Sequence, residues 1–458
     1  MATRNFVLTL VFCVFLFGFV VAQPPLNKAE QEAVYGVLES INSAVPWRSV
    51  FPDDFCSSAP HGVVCDYLDD DQGGVSAHIT ELSFGYVSDY SPNPLCAPNA
   101  TLNGSLFSRF THLTKLFFYR CFNGKSVSFP DFSSLGSSLE DLVFIENPSL
   151  VGSIGRNISN LKSVRKLILT GTNVGGKIPV GIEDLTGLEQ LTLSRNNFSG
   201  EVFVNFGKLK NLKVLDLSQN QLVGNVPGTL GNGSTELLKL DLSFNGFSGE
   251  IPESLKALKS LEFLDLSYNR FGNFGVPLFL GEMSSLKEVY LNGNFLGGRI
   301  PEIWKNLGSI LGLGLSNNGL VGSIPASMAV NLRNLCYLGL DNNKLEGTVP
   351  EEFSSLESVN ELNFENNNLS GKVPFTANFV AQIGTKLKLQ GNPELCVEDE
   401  LKSNQFSVAT TSLVQLKLCN KKPIVPQYAI FHGDSAPQAH NSHLWLLVSI
   451  GFLLLFSL

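Results

Sequence analysis

Charge is scarce in this 458-residue chain: Asp, Glu, Lys and Arg supply 16% of it, and the formal net charge is -9. Lys and Arg are scattered, with no run longer than two. A nucleic acid needs a basic face to neutralise its phosphates, so the balance argues against that partner. Histidine is scarce too, at six residues: His61, His78, His112, His432, His440 and His443. None stands beside a nucleophile or carboxylate in the pattern that a triad or a metal site requires. No C-x-x-C step offers a zinc site, and Walker, Rossmann and kinase phrases are missing. We therefore expect no catalytic residue, no metal ligand, no cofactor and no enzyme activity. Paired acids such as Asp53-Asp54 and Glu351-Glu352 are expected to be solvated.

Apolar residues are plentiful, at 43%, so a large core is possible. Two apolar stretches stand at the ends. Arg4, the run Phe6 to Val21 and the small residues Val20-Val21-Ala22 read as a secretory signal peptide over 1–22. The tail 444–458 is shorter than the roughly 20 residues that span a bilayer. Before it come Gly433-Asp434-Ser435-Ala436 and a polar spacer, Pro437 to His443. That order matches a glycolipid-anchor signal with attachment at Asp434 or Ser435. A short tail retained in the membrane is the alternative. Either way the body is expected on the extracellular face of the plasma membrane.

An oxidising compartment gives the cysteines a use. Neighbours are expected to pair, Cys56 with Cys65, Cys96 with Cys121 and Cys396 with Cys419, although four N-terminal cysteines allow three connectivities. Cys336 is left as a free, half-buried thiol. Sequons at Asn99, Asn103, Asn157, Asn197, Asn232 and Asn368 fit the same compartment.

The strongest signal is a repeat. The template LxxLxLxxNxL fits at Leu188-Leu191-Leu193-Asn196-Phe198 and recurs every 24 or 25 residues through Val359-Leu362-Phe364-Asn367-Leu369. Looser copies start at Ile79, Leu113, Leu139 and Val164, with Thr172 where the asparagine belongs, and Leu387-Leu389-Asn392 closes the series. One such coil cannot bury its own leucines, but stacked coils share one core. The x-L-x-L-x piece is a short strand with leucines inward. The asparagine turns inward to bond backbone groups left unpaired by the turn. A G-x-[IV]-P phrase follows, as in Gly249-Glu250-Ile251-Pro252, where glycine permits a turn and proline stops pairing. Segments such as ESLKALKS return as short helical turns. The fold expected is an α/β repeat solenoid of about 13 repeats.

This phrase resembles the plant-type extracellular leucine-rich repeat, over residues 27 to 420. EQEAVYGVLES, HGVVC, ELSFGYVSDYSPNPLC, LTKLFFYRC and GNPELC are similar to the kinase-less receptor-like proteins of plants. The resemblance implies a plant-type leucine-rich repeat superhelix with disulfide caps at both ends. It implies recognition of a secreted peptide or microbial ligand and signalling through a receptor kinase with a leucine-rich repeat ectodomain, in development or microbe response. No kinase is expected on this chain itself. A wall-associated inhibitor of microbial polysaccharide-degrading enzymes is the alternative, and a passive surface protein the third.

The expected layout is 23–74 N-terminal cap, 75–395 solenoid, 396–419 C-terminal cap, 420–443 stalk and 444–458 tail. Ala33, Val34, Val37, Leu38 and Ile41 recur at helical spacing in the first cap, where Trp47 also packs. Outward strand positions are mostly small and polar, with Asp216, Asp241 and Asp265 expected to be structural. Outward aromatics have no core to fill. Phe244, Phe263, Tyr268 and Tyr290 fall on successive strands and form the candidate ligand or partner patch. Phe117, Tyr119 and Arg120 are read as packing near the cap. The insertion from Tyr86 to Asn103 is a second candidate contact region, or a glycosylated cap loop.

Overall fold

The computed structural model describes residues 23–69, 74–85, 93–233, 236–403, 413 and 415–419. The expected signal peptide, stalk and tail, with the attachment candidates Asp434 and Ser435, lie outside the described residues, as do 86–92 of the insertion.

Helix α1 (Lys28–Ile41) opens the unit, with the Asn27 side chain accepting the Ala29 N–H. Its Ala33, Val34, Val37, Leu38 and Ile41 are buried. Trp47 is buried below it, and its indole Nε1 donates to the Asn42 carbonyl at 2.8 Å. Cys56 and Cys65 are bonded, tying the loop after α1 to strand β1 (Val63–Asp69). Asp54 corrects the expectation of a solvated acid pair: its carboxylate accepts the Cys56 N–H at 2.8 Å and the Leu26 N–H, pinning the turn. Strand β1 runs antiparallel to β2 (Val75–Phe84).

From β2 onward every successive pairing in the long sheet is parallel. Strand β3 (Lys115–Tyr119) follows, then Asp141–Gly152, Lys166–Gly176, Gln190–Thr192, and on to Glu361–Asn363 and Leu387–Lys388. The register aligns Leu191, Leu215, Leu240, Leu264, Val289, Leu313, Leu338 and Leu362 in one row. Leu215, Leu240, Leu264 and Leu338 have no exposed surface. Each such burial contributes about 1.5–3 kcal/mol, which only a stacked neighbour can provide. Cys96–Cys121 bonds the insertion to the end of β3, and Cys396–Cys419 closes the far end.

A second set of parallel pairings, absent from the sequence reading, follows the asparagine in most coils. Its strands include Asn197–Glu201, Gln221–Gly224 and Gly246–Gly249, and later Val321–Gly322, Lys344–Gly347, Asn368–Lys372 and Glu394–Val397. The glycine of G-x-[IV]-P is thus still paired, with Gly249 opposite Phe271. Three residues past Gly249, where the strand ends, Pro252 starts the 3₁₀ turn Glu253–Ala257. Near Phe271 the sheet thins to isolated bridges, Gly272 to Phe295 and Arg299 to Val321.

Between the sheets runs the asparagine ladder. Asn269 donates from Nδ2 to the carbonyls of Leu242 at 2.9 Å and Leu266 at 3.1 Å, and its Oδ1 accepts the Phe247 N–H at 3.0 Å. Asn220, Asn245, Asn294, Asn318, Asn343, Asn367 and Asn392 donate from Nδ2 to a carbonyl of the preceding coil in the same way. Where Thr172 replaces the amide, its hydroxyl donates to Asn196 Oδ1.

Candidate functional site

The residue before each ladder position has a positive φ, because the chain must turn sharply from one sheet into the other. Glycine or asparagine takes that conformation cheaply, and Gly293, Asn317, Asn342 and Asn366 do so. Arg120, Glu146, Arg195, Gln219, Phe244 and Tyr268 adopt it as well, with φ between 52° and 56°. A side chain that lacks asparagine's short amide costs roughly 1–2 kcal/mol there. Strain retained at surface positions points to a use for the side chains.

Phe244 and Tyr268 are 49% and 51% exposed, and their rings stack with centroids 4.3 Å apart. The candidate patch therefore resolves into two registers. Phe244 and Tyr268 stand at the turn that edges the long sheet. Phe263 and Tyr290 lie on the sheet itself, half-buried, with centroids 5.9 Å apart. Tyr337, which sequence reasoning did not single out, continues that row at 6.3 Å from Tyr290.

Glycines make room for these rings. A Cβ on Gly312 would stand 2.6 Å from the Tyr290 hydroxyl, and one on Gly339 would stand 2.6 Å from that of Tyr337. Each tyrosine thus lies down over a bare stretch of strand instead of projecting. Tyr290 donates to Glu288 at 3.0 Å, and burial followed by that bond raises its pKa. Burial, with Glu361 and Asp341 nearby, pushes the Tyr337 pKa up to about 12.

Beside the rings runs an acidic row, since the register puts Asp216, Asp241 and Asp265 side by side. Each accepts the N–H of the serine two residues on, at 3.1, 3.1 and 2.8 Å. Burial raises the Asp265 pKa to about 6, and burial with the Asp216 charge raises that of Asp241. Lys239 is 3.3 Å from Asp216 and 3.7 Å from Asp241, and its Nζ sits 5.2 Å from the centre of the Phe263 ring. Three carboxylates facing one ammonium leave this face suited to a ligand with apolar and cationic groups.

The other predicted residues fall as follows. Asn99, Asn103, Asn157, Asn197, Asn232 and Asn368 are exposed. Cys336 is free and half-buried. Arg120 packs over Tyr119, 5.1 Å from the ring centre, and Phe117 is half-buried. One cluster joins residues that no sequence pattern linked. His78 Nδ1 is 3.0 Å from Glu30 Oε1, across 48 residues of sequence, and the His112 ring lies against His78 at 3.9 Å between centroids. Sequence distance hid it, because the fold stacks α1 on β2 and the loop before β3.

Two parallel sheets joined by an asparagine ladder define a leucine-rich repeat solenoid. Family models described as leucine rich repeat match residues 210–271 and 312–369, and further ones match 187–209 and 285–307. Three Arabidopsis thaliana proteins are similar over part of the chain. Protein TOO MANY MOUTHS is 38% identical over 137 residues, which is 30% of this chain and 26% of that protein. Receptor like protein 29 is 36% identical over 157 residues, 32% of this chain and 30% of that one. Piriformospora indica-insensitive protein 2 is 33% identical over 151 residues, 32% and 34%. The chain is a plant-type leucine-rich repeat protein related to these three over about a third of its length, and the matches span 26–34% of theirs. The crystal structure of PEPR1 with AtPEP1 superposes with a TM-score of 0.59 at 25% identity, covering 81% of this chain and 52% of that one.

Proposed function

We propose that the protein is a cell-surface leucine-rich repeat receptor-like protein or co-receptor. In this reading it recognises a secreted peptide or microbial ligand and signals through a partner receptor kinase with a leucine-rich repeat ectodomain. The carrying observation is the exposed Phe244–Tyr268 stack, held in a left-handed backbone beside the ring row and the acidic row. Similarity to three plant relatives, one of them named a receptor-like protein, and to PEPR1 with AtPEP1 supports it. The layout proposed with it has about 13 repeats over 75–395, one per strand of the long sheet, between caps at 23–74 and 396–419. A signal peptide at 1–22 and a lipid anchor at Asp434 or Ser435 complete it. Release from membranes by a phosphatidylinositol-specific phospholipase tests the anchor, and a chain that resists release sinks it.

The patch is tested by the double variant Phe244→Asn, Tyr268→Asn. Asparagine adopts the left-handed backbone more cheaply, because its short amide can bond the local backbone, while the ring stack, worth about 0.5–1.5 kcal/mol, is lost. Stability is therefore expected to stay within about 1 kcal/mol of the parent. Co-immunoprecipitation of receptor kinases by the full-length chain at the cell surface is expected to fall at least tenfold. Undiminished capture by the variant removes the patch. Failure of the parent to capture any such kinase, under every ligand condition, removes the receptor reading.

A further inference from the structure

We propose that Glu30, His78 and His112 form a binding site for one divalent transition-metal ion, of the zinc class, at the N-terminal end of the unit. Their potential ligand atoms all lie within 4.8 Å of one another. They come from three separate segments: Glu30 from α1, His78 from β2 and His112 from the loop before β3. Two imidazoles and one carboxylate are a donor set that zinc accepts, with a fourth position left for water.

The carboxylate carries the argument. Glu30 is 4% exposed, and one of its oxygens accepts the Ile79 N–H at 3.1 Å. No Lys or Arg is paired with it among the described residues; its one ion-pair partner is His78. A buried carboxylate is costly without a neutralising partner, and an imidazole supplies a positive charge only when protonated. A bound cation would neutralise it in place.

The geometry is close to a closed site but not collapsed into one. Ligand atoms around a four-coordinate ion with bonds near 2.1 Å stand roughly 3.4 Å apart. Glu30 and His78 already approach to 3.0 Å. The remaining closure falls on His112, whose ring lies over the face of His78 with planes 37° apart. Rotating that ring to present an edge nitrogen brings the third ligand in. Its hydrogen-bond partner is a neighbour on the same loop, Thr111 Oγ1 at 2.9 Å, so the rotation breaks no long-range hydrogen bond. The His78 side chain is 17% exposed, which leaves a solvent path for the ion and its water. Filled, the site clamps the cap helix to the first two coils, so metal affinity becomes cap stability.

The test uses the full chain stripped with a chelator and titrated with Zn²⁺ by calorimetry and with Co²⁺ by visible absorption. One ion per chain is expected, with low-micromolar affinity and the intense bands of a four-coordinate Co²⁺. His112→Phe keeps the ring contact and removes a ligand. Glu30→Gln keeps an acceptor for the Ile79 N–H and removes the charge. Each is expected to weaken binding at least tenfold. Hydrogen exchange in residues 28–41 is expected to slow about tenfold on adding Zn²⁺ to the parent and not in the variants. The proposal is overturned if the parent binds no stoichiometric ion. It is equally overturned if both variants bind like the parent, which would place the ion elsewhere, such as on His432, His440 and His443.

Discussion

Replacing Asn269 with alanine removes one rung of the ladder, and the structure sets the size of the loss. Three carbonyls receive the Asn269 amide, but none depends on it alone. Leu242 keeps a bond from Asn245, Leu266 keeps one from Asn294, and Ser267 keeps the Phe244 N–H. The group left stranded is the Phe247 N–H, whose partner is Asn269 Oδ1. An orphaned buried donor costs about 1–3 kcal/mol, and the lost amide bonds add about 1 kcal/mol. The expected destabilisation is therefore roughly 2–4 kcal/mol, less than a count of all the broken bonds would give. Asn269→Asp separates the two halves of the argument. It retains an acceptor for Phe247 but turns a carboxylate toward those same carbonyls. Burial and repulsion favour its protonated form, so its folded pKa is raised. It should be worse than alanine at pH 7 and recover as the pH falls toward the ordinary carboxylate range. Urea unfolding of parent and variants at pH 5 and 7, with hydrogen exchange at the Phe247 amide, reads both effects. A loss below 1 kcal/mol for alanine, or an aspartate variant as stable as the parent at pH 7, would refute the account of the ladder.

Two further outcomes can be measured elsewhere in the solenoid. Asp265 has a folded pKa of about 6 against 3.8 for the free group, so its contribution is greatest below 3.8 and is lost as the pH rises through about 6. Asp265→Asn should raise stability at pH 7.5 by about 2 kcal/mol and flatten the pH dependence between 4 and 7; an unchanged pH slope in thermal melts would contradict this. Two glycine-to-alanine changes should differ sharply. At Gly312 the new Cβ meets the far end of a tyrosine, which can lift away, so the loss should be under about 1 kcal/mol. At Gly231 it would come within 1.8 Å of the Ser254 backbone carbonyl, and overpacking there should cost about 3 kcal/mol or more. Equal melting temperatures for the two variants would undo that distinction.

Much of the architecture was legible because its cause is local and repeated. A leucine recurring at two-residue spacing within a strand, and again one coil later, has one place to go, so the row from Leu191 to Leu362 could be read without coordinates. The same holds for the buried asparagines and for the apolar stripe of Lys28–Ile41. The second sheet was missed because Gln221–Gly224 and its neighbours carry little period-two contrast. Glycine-containing pieces pair there through backbone alone, and the proline two or three residues on was taken as the end of pairing.

The candidate site was legible only as a list of residues. Phe244, Phe263, Tyr268 and Tyr290 stand out by type, but the sequence does not say which project and which lie flat. That depends on the register that sets Gly312 beneath Tyr290 and Gly339 beneath Tyr337, and on the left-handed turn that lifts Phe244 and Tyr268. Glu30, His78 and His112 carry no mark of their own, for their convergence comes from docking a helix on two coils. By itself the sequence determined what repeats, since burial of a periodic apolar row is a property of spacing. Tertiary structure alone decided what meets across coils, since side chains one layer apart find each other only once the stacking has set their register.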